Sequence, residues 1–159
     1  MKNPKIISYK KFEDKRGYFS EIFRANKLKN NFIQDNLVYN KKKNTFRGLH
    51  YQTKPFDQGK LITVLKGSIF DYVTKINKNS QKYEVIKKFF LSEKDNKWLW
   101  VPPNFAHGYL TCEDDTIILY KVTKFYSQKH ERIVNIFKEG INTKMKIIKS
   151  KIIISKKDS

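Results

Sequence analysis

A succession of short apolar runs, each a strand's length and closed off by turn residues, most constrains what this chain can fold into. Val, Ile, Tyr and Phe dominate residues 5–9, 19–23, 32–39, 45–50, 60–66, 68–76, 83–91, 98–101, 105–111 and 116–122, with Gly, Asn, Asp or Pro between them. β-Branched and aromatic side chains suit the pleated, half-buried surface of a sheet. Runs this short and evenly spaced predict an all-β fold, a sandwich or barrel with few short helices. Lys66-Gly67 reads as a hairpin turn, and Asp95-Asn96 and residues 113–115 as further turns. Residues 25–30 read as one short helix, and the basic tail, 138–155, is open between strand and loop. No repeat or linker divides the chain, so a single domain over residues 1–159 is expected. That length buries a core without a disulfide or metal staple.

Charge and cysteine use narrow the partners. The formal net charge is +19, yet only four of the 34 basic residues are arginines: Arg16, Arg24, Arg47 and Arg132. Lysines spread along the whole chain do not form the concentrated, arginine-bearing stripe of a nucleic-acid binder. No nucleic-acid partner is therefore expected, and the positive field suits a small anion such as a nucleotide diphosphate. No apolar run is long enough to span a bilayer, and residues 1–11 lack the apolar stretch of a signal peptide. The single cysteine, Cys112, cannot form an intrachain disulfide. A cytoplasmic protein without a membrane partner is expected.

The chain has three histidines, His50, His107 and His130. The inside of a β-barrel is a good place for a small-molecule pocket, and an inward histidine is either a satisfied core residue or a working group. Strict alternation puts Arg47, Leu49 and Tyr51 on one face and Gly48 and His50 on the other, unless a bulge intervenes. A metal site built on a His-x-His pair is incomplete, because Gln52 stands two residues after His50. His130 lies in a charged stretch, Gln128-Lys129-His130-Glu131-Arg132. No metal and no cofactor are expected.

Several strings then occur in a telling order. They are Asp14-Lys15-Arg16-Gly17-Tyr18-Phe19-Ser20-Glu21, Gln34-Asp35-Asn36, Arg47-Gly48-Leu49-His50-Tyr51-Gln52, Gly59-Lys60-Leu61, Trp100-Val101-Pro102, Phe105-Ala106-His107-Gly108-Tyr109, Leu119-Tyr120-Lys121 and Phe125-Tyr126-Ser127. Each is weak alone. Together, over nearly the whole length, the chain resembles the dTDP-4-dehydrorhamnose 3,5-epimerase family. The resemblance implies a cupin jelly roll, a homodimer, and epimerisation at C3 and C5 of a dTDP-linked 4-keto-6-deoxy sugar through an enolate.

By the same resemblance, His50 matches the base and Tyr120 the acid on the opposite face. Imidazole is suited to proton abstraction near neutral pH, whereas a phenol needs a cationic neighbourhood, for which Lys60 and Lys121 are the candidates. Lys60 matches the lysine that steadies the enolate oxygen, although it also reads as a surface lysine at a strand start. His107 matches a second pocket histidine. Asp158, in Ser155-Lys156-Lys157-Asp158, matches the aspartate that orients the base; read alone it is a frayed terminal residue. Arg16 and Arg47 match residues near the diphosphate and sugar, where guanidinium forks suit phosphate oxygens. Glu21, Gln34 and Asn36 match groups on the base and ribose, Phe19 and Tyr126 aromatics that pack on thymine or sugar, and Glu131 and Lys157 two further binding positions. Arg16, Phe19 and Glu21 are implied to reach the partner subunit's site.

The chain departs from the family pattern at Lys75-Ile76-Asn77, at residues 136–139 and at Met145-Lys146, the last two in a part implied to close over the pocket. Other readings are an epimerase of one carbon only, a keto-isomerase on another nucleotide sugar, and an inert sugar-nucleotide-binding cupin. An inert binder has no reason to keep base, acid and lysine together.

Overall fold

The computed structural model describes residues 2–76, 86–138 and 141–159. In chain order the strands are β1 (Lys5–Ser8), β2 (Phe12–Asp14), β3 (Gly17–Phe19), β4 (Gln34–Asn40), β5 (Thr45–Gln52), β6 (Lys60–Lys66), β7 (Ser68–Lys75), β8 (Lys87–Ser92), β9 (Lys97–Val101), β10 (Phe105–Thr111), β11 (Thr116–Val122), β12 (Glu131–Ile133) and β13 (Ile153–Ile154). One short helix, α1 (Ile141–Met145), and three 3-10 turns accompany them. The fold is all-β, as the strand pattern predicts.

Two sheets carry the architecture, ordered β1-β9-β6-β11-β4 and β12-β5-β10-β7-β8; β13 adds to β5 in parallel, and β2 and β3 form a ribbon apart. Side chains alternate along each strand. Ile62, Val64, Leu99, Val101 and Ile118 of the first sheet therefore meet Ile69, Val73, Leu91 and Tyr109 of the second in a shared interior. The outward residues are not all left to solvent. Leu61, Trp98 and Trp100 on the back of the first sheet are covered by Ile22, Phe23, Leu28 and Phe32. Phe46, Leu49, Tyr72 and Ala106 on the back of the second are covered by Val134, Ile136, Ile141, Met145 and Ile147. Fully burying one such aliphatic side chain contributes roughly 1.5–3 kcal/mol, enough in sum to hold a segment with little regular structure against the sheet.

Several expectations are corrected. Lys66-Gly67 is no hairpin turn: β6 and β7 belong to different sheets, and Gly67, at φ +80°, is the corner by which the chain crosses between them. A side chain there would press on Thr116. The strand expected at 19–23 ends at Phe19, and the helix expected at 25–30 is a 3-10 turn, Ala25–Lys27. The tail holds α1, a 3-10 turn and β13 rather than one strand or one loop. Ile136 and Met145, implied to lie over the pocket, pack on the back of the second sheet. Residues 83–85 of one expected strand, Asn77 and Glu139 lie outside the described residues.

A bulge between β5 and β10 decides what the interior presents. His107 pairs with His50 and Tyr109 with Arg47, so Gly48 and Leu49 together oppose Gly108. Two residues against one break strict alternation. Arg47 and His50 consequently both face the interior, with Phe46 and Leu49 behind them. The close approach needs glycine on both strands. Gly48 has φ +127°, and a Cβ there would lie 2.5 Å from the Gly108 Cα. A Cβ on Gly108 would overlap the carbonyl oxygen of Arg47.

Candidate active site

Two adjoining hollows of about 230 and 180 Å³ open at one end of the interior and share His50, Lys60 and Tyr120. The first sheet supplies Lys60 from β6, Tyr120 from β11, and Gln34 and Asn36 from β4; the second supplies Arg47 and His50 from β5 and His107 from β10. His50 and Tyr120 thus stand on opposite walls, with Lys60 beside Tyr120's strand.

His50 Nε2 lies 2.7 Å from Asp158 Oδ1. Asp158 is not frayed: it is 3% exposed. It sits where the edge of β5 passes from β13 at residues 45–46 to β12 at residues 50–52. In that gap its Oδ2 accepts the Gly48 N–H at 3.3 Å. Burial pushes Asp158 up, but the hydrogen bond and charge of His50 and the Gly48 N–H outweigh it and hold the carboxyl below its usual range. An ionised carboxylate can only accept. Toward that carboxylate the His50 Nε2 is the donor, and in the neutral form of the ring Nδ1 carries the lone pair a base requires.

Burial pushes the Lys60 ammonium down to about 8, against the opposing pull of Asp71 and Glu131. Tyr120 is raised chiefly by burial, with Arg47 acting against the rise and Glu131 adding to it. The cation that favours release of its proton is therefore Arg47. Lys121, named from sequence for that office, points out of the other face of β11; its Nζ is 2.7 and 2.8 Å from the two Asp35 carboxylate oxygens and 4.4 Å from the Phe23 ring.

His107 Nδ1 lies 3.4 Å from Asp71 Oδ2, and Asp71 is fully buried on the inward face of β7. Burial, then the charges of Lys60 and His50, hold His107 well below the ordinary imidazole value. Burial drives Asp71 well above the carboxylate range, with Lys60 opposing. Asp71 was missed from sequence, although an acid between Ile69 and Val73 on an apolar stripe was the available signal.

At the mouth, Glu131 Oε2 accepts from the Tyr126 hydroxyl at 2.9 Å and from Lys157 Nζ at 2.5 Å. Tyr126 is held there by Gln52, whose Oε1 accepts the Ser127 N–H at 2.6 Å while its Nε2 donates to the carbonyls of Phe56 and Phe125. Gln52 thus organises a loop where a ligand imidazole would otherwise stand. His130 is structural, its ring tilted against that of Phe56 with centroids 4.7 Å apart and its Nδ1 2.8 Å from Ser127 Oγ. Among the described residues, no three His, Cys, Asp or Glu side chains are grouped to hold a metal ion.

Three site residues named from sequence stay away from this pocket. Arg16 is 90% exposed and paired with Asp14, Phe19 is 68% exposed, and Glu21 is bound by Arg24 and Lys27. Phe19 and Glu21 line a separate groove of about 520 Å³ on the back of the first sheet, beside Trp98.

A jelly-roll-like sandwich that sets a carboxylate-backed imidazole against a phenol and an ammonium is equipped for proton transfer at carbon, the work of an acid–base isomerase. Comparison with known proteins gives the particular family. The family described as dTDP-4-dehydrorhamnose 3,5-epimerase matches residues 1–159, and the chain belongs to it. The dTDP-4-dehydrorhamnose 3,5-epimerase of Sinorhizobium fredii is 42% identical over 133 residues, covering 80% of this chain and 68% of that protein. The crystal structure of the Bacillus anthracis dTDP-4-dehydrorhamnose 3,5-epimerase, with TDP and PPi bound, superposes with a TM-score of 0.84 at 34% identity over 98% of this chain and 90% of the other. The Legionella pneumophila dTDP-6-deoxy-D-glucose-3,5-epimerase, in complex with dTDP-4-keto-L-rhamnose, does so with a TM-score of 0.84 at 30% identity over 98% and 84%. The chain is an enzyme of the isomerase class. No helix among the described residues is long and apolar enough to cross a membrane.

Proposed function

We propose that the protein converts dTDP-4-dehydro-6-deoxyglucose to dTDP-4-dehydrorhamnose by inverting C3 and C5. The observation that carries this reading is the opposition of His50, backed by Asp158 at 2.7 Å, to Tyr120 and Lys60 on the facing sheet. The C4 ketone acidifies the hydrogens on C3 and C5. His50 takes one of them through Nδ1, and the C–H electron pair moves to the C4 oxygen as an enolate. The Lys60 ammonium stabilises that oxygen, assisted by His107. Tyr120 returns a proton to the opposite face, and the resulting phenolate and imidazolium are reset by proton exchange with solvent. Arg47 takes the diphosphate or sugar, Gln34 and Asn36 the nucleoside, and Tyr126 stacks on the thymine at the mouth, with Glu131 and Lys157 fixing its edge.

Arg16, Phe19 and Glu21 enter the site of a second copy. Support comes from the β2–β3 ribbon, whose Phe12, Tyr18 and Phe19 are all more than half exposed, and from the apolar groove beside it. Sedimentation equilibrium is expected to give about twice the 19.0 kDa chain mass. A fully active monomer would remove the ribbon from the site.

The reading is tested by incubating the protein with dTDP-4-dehydro-6-deoxyglucose in deuterated water. Deuterium is expected at both C3 and C5. Label at one carbon assigns a mono-epimerase instead, and no label at saturating substrate rejects this sugar.

A further inference from the structure

Asn40 closes β4 on the inward face it shares with Gln34, Asn36 and Val38, and it is 2% exposed. A buried amide is unfavourable unless its polar atoms are matched. Here Oδ1 accepts from Arg47 Nε at 3.0 Å and from the Tyr109 hydroxyl at 3.3 Å, and Nδ2 donates to the Thr116 carbonyl oxygen at 3.3 Å. Arg47 and Tyr109 face one another across β5 and β10, so one carbonyl oxygen fastens both strands' pocket residues to the first sheet.

The choice of nitrogen matters. Asn40 engages Nε, at the base of the guanidinium fork, and among the described residues no other hydrogen bond engages the Arg47 side chain. The two terminal nitrogens stay available while the plane of the fork is set. A long side chain oriented in advance has less freedom to lose when an anion binds.

We infer that Asn40, which does not itself line the pocket, is a positioning residue that acts on substrate binding through Arg47. The inference rests on the proposed reading of Arg47 as a contact to the diphosphate or sugar. A leucine at position 40 would fill the volume and leave Arg47 Nε and the Tyr109 hydroxyl without their acceptor.

The test is a double-mutant cycle in the full chain, using Asn40→Leu, Arg47→Lys and the pair, with KM and kcat for dTDP-4-dehydro-6-deoxyglucose. Asn40→Leu is expected to raise KM about tenfold while kcat changes less than about threefold, the pattern of lost uniform binding. In the Arg47→Lys background it should add less than about twofold, because residues acting through one another are not additive. An unchanged KM in Asn40→Leu, or an undiminished rise in the Arg47→Lys background, overturns the inference. Should Asn40→Leu fail to fold, Asn40→Ala removes the acceptor without adding bulk or charge; its KM is expected to rise about tenfold, and an unchanged KM overturns the inference. The unaltered protein is assayed first. If it does not turn over this sugar, the substrate reading fails, and the same cycle is read in the affinity for dTDP.

Discussion

Replacing His50 by alanine is expected to abolish deuterium incorporation at both C3 and C5 of dTDP-4-dehydro-6-deoxyglucose, and with it all epimerised product. Without a base no enolate forms, so neither carbon can exchange. General acid–base groups typically contribute about 10²–10⁴-fold, and the loss here falls on the first step. The fold should survive. His50 is only partly buried, and Asp158 keeps the Gly48 N–H as a donor when the imidazole is gone. An unchanged melting temperature with no exchange is therefore the expected pair of results. The structure also names the alternative that a failure would point to. His107 is the other imidazole of the pocket, and burial, then the charges of Lys60 and His50, hold it well below the ordinary imidazole value. Undiminished exchange at either carbon in His50→Ala would move the base to His107.

Tyr120→Phe should separate exchange from inversion. The substitution removes only the hydroxyl, so the ring still packs against the interior between the sheets. His50 can still remove a proton and return a deuteron to the same face, which regenerates the starting configuration with label in place. Inverted product needs delivery from the opposite wall, where Tyr120 stands on β11. Deuterium in recovered substrate, with product formation lowered about 10²–10⁴-fold, is the expected outcome. Normal product formation would make Tyr120 a core tyrosine and require another acid on that wall. Lys60, down at about 8 through burial, would be the next group to substitute.

Much of this arrangement is legible in the chain before any coordinates. β5, β6, β7, β9, β10 and β11 lie within a residue or two of the runs that foretell them, because strand formation at these places follows local alternation and β-branched content. The short pieces were harder to read. β12 hides in a charged stretch, and β13 is two residues long, pairing only because β5 offers it an open edge. Gly67 illustrates a deeper limit. A turn residue between two strands is visible in sequence, but whether those strands pair with one another or part into opposite sheets depends on partners far away in the chain.

The residue types of the candidate site, and their resemblance to one enzyme family, were determined by the sequence alone, since they reside in short strings whose order survives without coordinates. Tertiary structure decided which of them meet. The Gly48–Gly108 approach produces the bulge that turns Arg47 to the same side as His50, against the simple alternation of the strand. The broken edge of β5 seats Asp158 beside an imidazole 108 residues earlier in the chain. Packing of two sheets face to face sets Tyr120 across from His50 and sends Lys121, one residue on, to the opposite surface. Asp71 and Asn40 become parts of the site because both lie buried on inward faces, where Asp71 Oδ2 meets His107 and Asn40 Oδ1 meets Arg47. Local pattern reads one strand at a time, whereas a site between sheets depends on register, and register is set by contacts between residues distant in sequence.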